Sequence, residues 1–184
     1  MNAGGLNLND LLERYADTDD PQGSDDDFDQ VAQQAPRGVV SEGFAQAFKS
    51  DRTPPFPNML GQMFGRSDPD TRAGILNQLI SSLGPQMLSG GGGGALGGSL
   101  AGLLGGLLGG GTGGTPRVTP EQASRVPPEA VEQLAGRAQE RDPTVIDRIS
   151  DFAAEHPGLM KGLGAAAVGI ALKHLAGQKR GGLF

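Results

Sequence analysis

The sequence predicts an all-α protein of short helices set around one or two buried central helices faced with glycine and alanine. Three observations lead there. Apolar residues recur at helical spacing in segment after segment. Capping residues and prolines stand just ahead of those segments, and glycine or proline often stands just behind them. Finally, the stretch Gly90 to Gly114, GGGGGALGGSLAGLLGGLLGGGTGG, places glycine at every fourth position without a break.

Taken in order, Leu8, Leu11, Leu12 and Tyr15 follow i, i+3, i+4, i+7 and predict a short amphipathic helix, with Asn7 or Asn9 as its cap. Its apolar face needs a docking partner elsewhere in the fold. An acidic segment follows, with seven Asp between Asp17 and Asp29. The spacing does not match a calcium-binding loop and no glutamate closes it, so a solvated acidic loop is expected. Asp25 to Asp27 suit the start of a helix over Phe28 to Ala35, where acids favour the helix dipole. Val40, Phe44, Ala47 and Phe48 predict a helix within Val39 to Ser50, broken by Thr53-Pro54-Pro55. Phe56, Met59, Leu60, Met63 and Phe64 make the next apolar face, read as core in preference to a binding groove.

The clearest helix then begins at Asp68, with Pro69 in its first turn and Asp70 supporting the dipole. Ile75, Leu76, Leu79, Ile80 and Leu83 form its buried stripe, and Gly84-Pro85 stop it. Beyond the glycine stretch, four X-Pro steps open successive helices: Thr119-Pro120, Val126-Pro127, Asp142-Pro143 and His156-Pro157. Thr119 and Gln122 have capping-box spacing. Val131, Leu134, Ala135 and Ala138 share one face; Ile146, Ile149, Phe152 and Ala153 share the next. The last helix is expected to run from Pro157 to about Ala176, buried, with Gly158, Gly162 and Ala166 continuing the spacing-four pattern.

Residues four apart lie above one another on a helix. Gly94, Gly98, Gly102, Gly106 and Gly110 would therefore form a stripe without side chains, flanked by Leu96, Leu100, Leu103 and Leu107, onto which a second helix fits closely. Each helical glycine costs about 1 kcal/mol against alanine, whereas each buried leucine returns about 1.5–3 kcal/mol. A packed helix here is favoured over a lone one. A flexible linker and a membrane-inserted helix are the rival readings, and Ala95 to Gly110 gives roughly 24 Å of helix, short of the roughly 30 Å hydrocarbon core. Four segments result: an acidic arm at 1–36, a helical region at 37–88, the Gly/Leu segment at 89–116 and a helical domain at 117–184.

Composition narrows function. The chain has 184 residues, no Cys and no Trp, so disulfides and thiolate metal sites are excluded and a reducing cytoplasm is expected. The start, MNAGGLNLNDLL, has neither a basic region nor a long apolar run, so no secretory signal is expected. The net charge of −6 is uneven: residues 1–35 carry nine acids and one base, and residues 73–116 carry none of either. Residues 156–184 carry four bases and no acid. No dense Lys/Arg face is present, so nucleic acid is not an expected partner.

No nucleophile elbow, zincin or phosphate-loop motif occurs. His156 and His174, placed at the two ends of one predicted helix roughly 27 Å apart, do not share a metal. Asp147 and Asp151, with Arg148 beside them, read as a solvated face. No catalytic residue, cofactor or metal site is therefore expected. FDQVAQQAP (28–36), AFKSDRTPPFPNMLGQMFGRSDPDTRAGILNQLISSLGP (47–85), the Gly/Leu run and VTPEQASRVPPEAVEQLA (118–135) resemble a group of glycine-rich bacterial proteins and, more loosely, the YidB-like family. The resemblance implies a multihelical bacterial protein and supplies no functional residues. The expectation is a non-enzymatic, cytoplasmic, self-associating protein, a homo-oligomer joined by glycine-faced helices. Membrane association through the Gly/Leu helix and the basic C-terminal end is the first alternative, and an enzyme with an unrecognised site the second.

Overall fold

The computed structural model describes residues 8–17, 23–83, 117–161 and 163–180. The described residues form nine α-helices and one 3-10 turn, without strands. The helices are α1 (Leu8–Ala16), α2 (Asp25–Gln34), α3 (Arg37–Lys49), α4 (Phe56–Arg66), α5 (Pro69–Leu83), α6 (Pro120–Ala123), α7 (Pro128–Arg141), α8 (Val145–Glu155) and α9 (Ala165–Arg180), with the 3-10 turn at Pro157–Met160.

Local chemistry sets the helix ends. Ser24 caps α2 by accepting the Asp27 amide at 3.2 Å, so α2 starts three residues before Phe28 and takes Asp25, Asp26 and Asp27 into its first turn. Asp68 accepts from the Thr71 amide at 2.9 Å and the Thr71 hydroxyl at 2.7 Å. Those bonds favour the ionised carboxylate and hold its pKa below the usual value. The expected capping box closes at α6: Thr119 accepts the Gln122 amide, and the Gln122 side chain accepts the Thr119 amide at 2.9 Å. Asn7, the other proposed cap of α1, lies outside the described residues, and Asn9 falls within the helix.

Two consecutive helix pairs share one plan. Pro54-Pro55 precedes α4, and Asp68-Pro69 opens α5; Pro127-Pro128 opens α7, and Asp142-Pro143 precedes α8. In both, the Asp carboxylate between the helices takes the backbone N–H and hydroxyl of a following threonine, Thr71 or Thr144. Helix α4 packs on α7, and α5 packs on α6, α7 and α8. Arg72 of α5 reaches back to the end of α4, donating to the Phe64 carbonyl at 2.8 Å and the Gly65 carbonyl at 2.7 Å. Helix α3 lies against α8 and α9, and α1 and α2 lie on α9. Phe28, Phe44, Phe48 and Phe56 run in contact through α2, α3 and α4, with ring centroids 5.3–6.1 Å apart.

Residues from both sides of 84–116 enter one hydrophobic core, from Leu11 through Leu83 to Ala176. The Met/Phe face of α4 is wholly buried, as ordinary core. Asn77 of α5 ties the returning chain to this core: its amide donates to the Val118 carbonyl at 3.2 Å, and its oxygen accepts the Val118 amide at 2.8 Å.

The expected single helix from Pro157 to Ala176 is corrected. It is a 3-10 turn followed by α9, and the break falls at Gly164, whose φ of 95° lies in the left-handed region. Helix α9 instead continues to Arg180.

Candidate functional site

Gly94, Gly98, Gly102, Gly106, Gly110, Leu96, Leu100, Leu103 and Leu107 lie outside the described residues, as does Gly162. Gly158 is exposed in the 3-10 turn and Ala166 is half-buried in the first turn of α9. The break at Gly164 puts them on separate elements, so they do not form one helical stripe.

Glycine at spacing four does bring two helices together elsewhere. A Cβ added at Gly61 of α4 would meet the Glu132 side chain of α7 at 2.4 Å, and one at Gly65 would meet Pro128 at 3.3 Å. Reciprocally, a Cβ at Gly136 of α7 would meet Pro57 at 3.8 Å. Residues 57, 61 and 65 thus run antiparallel to 136, 132 and 128, each set spaced by four. The signal that marks Gly90 to Gly114 also marks Gly61 and Gly65, but only two glycines long. A second close approach occurs between α3 and α9, where a Cβ on Gly43 would lie 3.5 Å from that of Ala171.

Polar links between helices have definite owners. Asp147 and Asp151 are more than a solvated face: Lys49 donates to Asp147 at 2.8 Å, and Ser41 donates to Asp151 at 2.5 Å, joining α3 to α8. Arg148 reaches Ser82 of α5 at 3.3 Å and Asp142 at 3.5 Å. The acidic segment is likewise helical from Asp25 onward. Tyr15 donates to Asp27 at 2.6 Å, and Lys161 pairs with Asp29 at 2.8 Å. The hydrogen bond and charge of Asp29 raise the Lys161 pKa.

Among the described residues, clefts open between the elements. One, of about 380 Å³, lies where the end of α4, the start of α5 and the 3-10 turn meet, lined by Arg66, Ser67, Asp68, His156 and Lys161 among others. Its charges are largely committed: Asp68 caps α5 and Lys161 holds Asp29. The other, of about 370 Å³, lies beside α9, lined by Gln46, Ile170, Lys173, His174, Gly177 and Gln178. His174 Nε2 lies 3.2 Å from Glu42 Oε2 of α3, and Gln178 bridges the same pair. The two histidines belong to different elements, since His156 ends α8 with its ring edge-on to Phe152 at 4.7 Å. Among the described residues no three His, Cys, Asp or Glu side chains are arranged to hold a metal. No described helix is long and apolar enough to cross a membrane.

No protein-family model, curated protein or solved structure matches the chain.

Proposed function

We propose that the chain is a non-enzymatic helical protein with a structural or interaction role, self-associating through glycine-faced helices. The observation that carries the reading is the α4–α7 crossing, where glycines four apart let two helices of this same chain approach closely. The same spacing runs through Gly94, Gly98, Gly102, Gly106 and Gly110 over a longer reach. A helix there recovers its glycine cost only when its leucines are covered. A second copy supplies a matching face, as a symmetric interface requires. The resemblance to YidB-like bacterial proteins agrees with this all-helical plan, and the absence of Cys with a cytoplasmic setting.

Membrane association is the second reading, favoured by the absence of any charge from 73 to 116. Light scattering on chromatographed protein, purified without detergent, separates the two. Self-association gives a discrete multiple of 18.8 kDa. Replacing Gly98 and Gly102 together by Leu then returns the mass to that of one chain while helical circular dichroism persists. A wild-type monomer sinks the self-association reading, and recovery only from the membrane fraction favours the second.

A further inference from the structure

The cleft where the end of α4, the start of α5 and the 3-10 turn meet carries separated charges of both signs. Arg66 makes no ion pair or hydrogen bond among the described residues, although Asp68 stands two positions away on the same lining. Asp68 accepts the Thr71 amide on one oxygen and the Thr71 hydroxyl on the other. Those bonds keep it ionised, and its oxygens hold further lone pairs. Lys161 adds no net charge, because Asp29 neutralises it at 2.8 Å. His156 lines the same cleft. Its ring is held edge-on by Phe152 at 4.7 Å, and Phe152 fills the place that a Cβ on Gly74 would take. Met63 and Leu159, both buried, supply an apolar floor.

We infer that this cleft binds a small zwitterion of the aliphatic amino-acid class. Its carboxylate takes the Arg66 guanidinium, whose planar fork matches two oxygens, with His156 as a further donor. Its ammonium takes the remaining lone pairs of Asp68, and its side chain lies on Met63 and Leu159. A lone anion meets repulsion from Asp68 and a lone cation meets it from Arg66, whereas a ligand carrying both charges satisfies both groups. The volume of about 380 Å³ is within the usual range for small-molecule sites. The two sides are set before any ligand arrives: Thr71 is buried against Asp68, and the Ser67 hydroxyl donates to the Met63 carbonyl at 2.6 Å. Such preorganisation lowers the entropy lost on binding.

The test follows the histidine ring resonances of the full chain during titration with L-leucine. The His156 signals move and saturate, while those of His174 stay in place. Isocaproate, which lacks the ammonium, and isoamylamine, which lacks the carboxylate, each bind at least about tenfold more weakly than leucine, the loss expected when a hydrogen bond to a charged group is removed. Arg66→Gln and Asp68→Asn weaken leucine binding by a similar factor; asparagine is also a good helix cap, so α5 keeps its start. Arg125→Gln, outside the cleft lining, leaves binding unchanged. Unmoved His156 signals overturn the site. Isocaproate that binds as tightly as leucine overturns the zwitterion in favour of a simple anion, and isoamylamine that does so overturns it in favour of a cation. If a variant does not fold, the comparison of the three probes on the wild-type chain still decides.

Discussion

Tyr15 is the chain's single tyrosine, and no tryptophan accompanies it, so near-ultraviolet absorbance of the phenolate reports this residue alone. Its ring is buried, and its hydroxyl donates to Asp27. Burial, then the hydrogen bond to Asp27 and that carboxylate's charge, push the phenol pKa up to about 12. The unfolded chain releases the same proton near the ordinary value of about 10. The contribution to stability is therefore fully present below pH 10 and is lost as the pH rises toward 12. Absorbance titration should show a midpoint well above that of free tyrosine; a midpoint near 10 would mean that the α1–α2 contact does not persist in solution. Asp68 titrates in the opposite sense. Its lowered pKa comes from Thr71, so its stabilisation is present above the usual carboxylate range and fades as the pH falls through the folded value. The Asp68 cap was legible because Asp-Pro opens a clean apolar stripe. The Ser24 cap was not, because the three aspartates that follow it are themselves favourable cap and first-turn residues, so the sequence does not single out the hydroxyl.

At the level of elements, the helices were legible wherever an apolar stripe met a proline boundary, as in α4, α5, α7 and α8. The sequence suggests one helix from Pro157 to Ala176 because apolar and small residues fill that run apart from Lys161, Lys173 and His174, and periodicity does not reveal that Gly164 turns left-handed. What a glycine does depends on its neighbours, and two of them make opposite predictions. Gly38 lies in α3 with nothing within 4 Å of the position a Cβ would take. Gly38→Ala should therefore raise stability by up to about 1 kcal/mol, through helix propensity and a less free unfolded chain. Gly23 sits where a Cβ would meet the backbone of Gly169 at 2.5 Å and of Val168 at 2.7 Å, while its amide donates to the Ala165 carbonyl at 2.8 Å. Backbone atoms of a helix do not swing aside as a side-chain tip does. Gly23→Ala should cost roughly 1–3 kcal/mol, the range for overpacking, and loosen the seating of α2 on α9. Chemical denaturation of the two variants should move the midpoints in opposite directions. Equal shifts would mean that the 23–169 contact is not as close as described.

At the scale of the molecule, the uncharged stretch looks like a divider in sequence between the helical region at 37–88 and the helical domain at 117–184. In space their described helices share one core, with α4 on α7 and α5 against α7 and α8. Such pairing is long-range and leaves no periodic trace, so only its components were visible. The Glu42–His174–Gln178 cluster was invisible for the same reason, since its halves are 132 residues apart. The clamp of Asn77 on Val118 fixes where the chain rejoins α5 after residues 84–116. From Asn77 to Leu83 is six residues, roughly 9 Å along the helix, so the segment leaves and returns within reach of a short connection. Replacing residues 86–114 by roughly eight glycines and serines, a chain able to span over 20 Å, should therefore leave the described helices folded. Closing a shorter loop even favours the folded state by about 1 kcal/mol. If assembly depends on the glycine stripe, this shortened chain should remain helical, melt cooperatively and scatter as a single chain. A shortened chain that keeps the wild-type oligomeric mass would place the contact on α1–α9 instead. One that unfolds would make residues 84–116 part of the core itself.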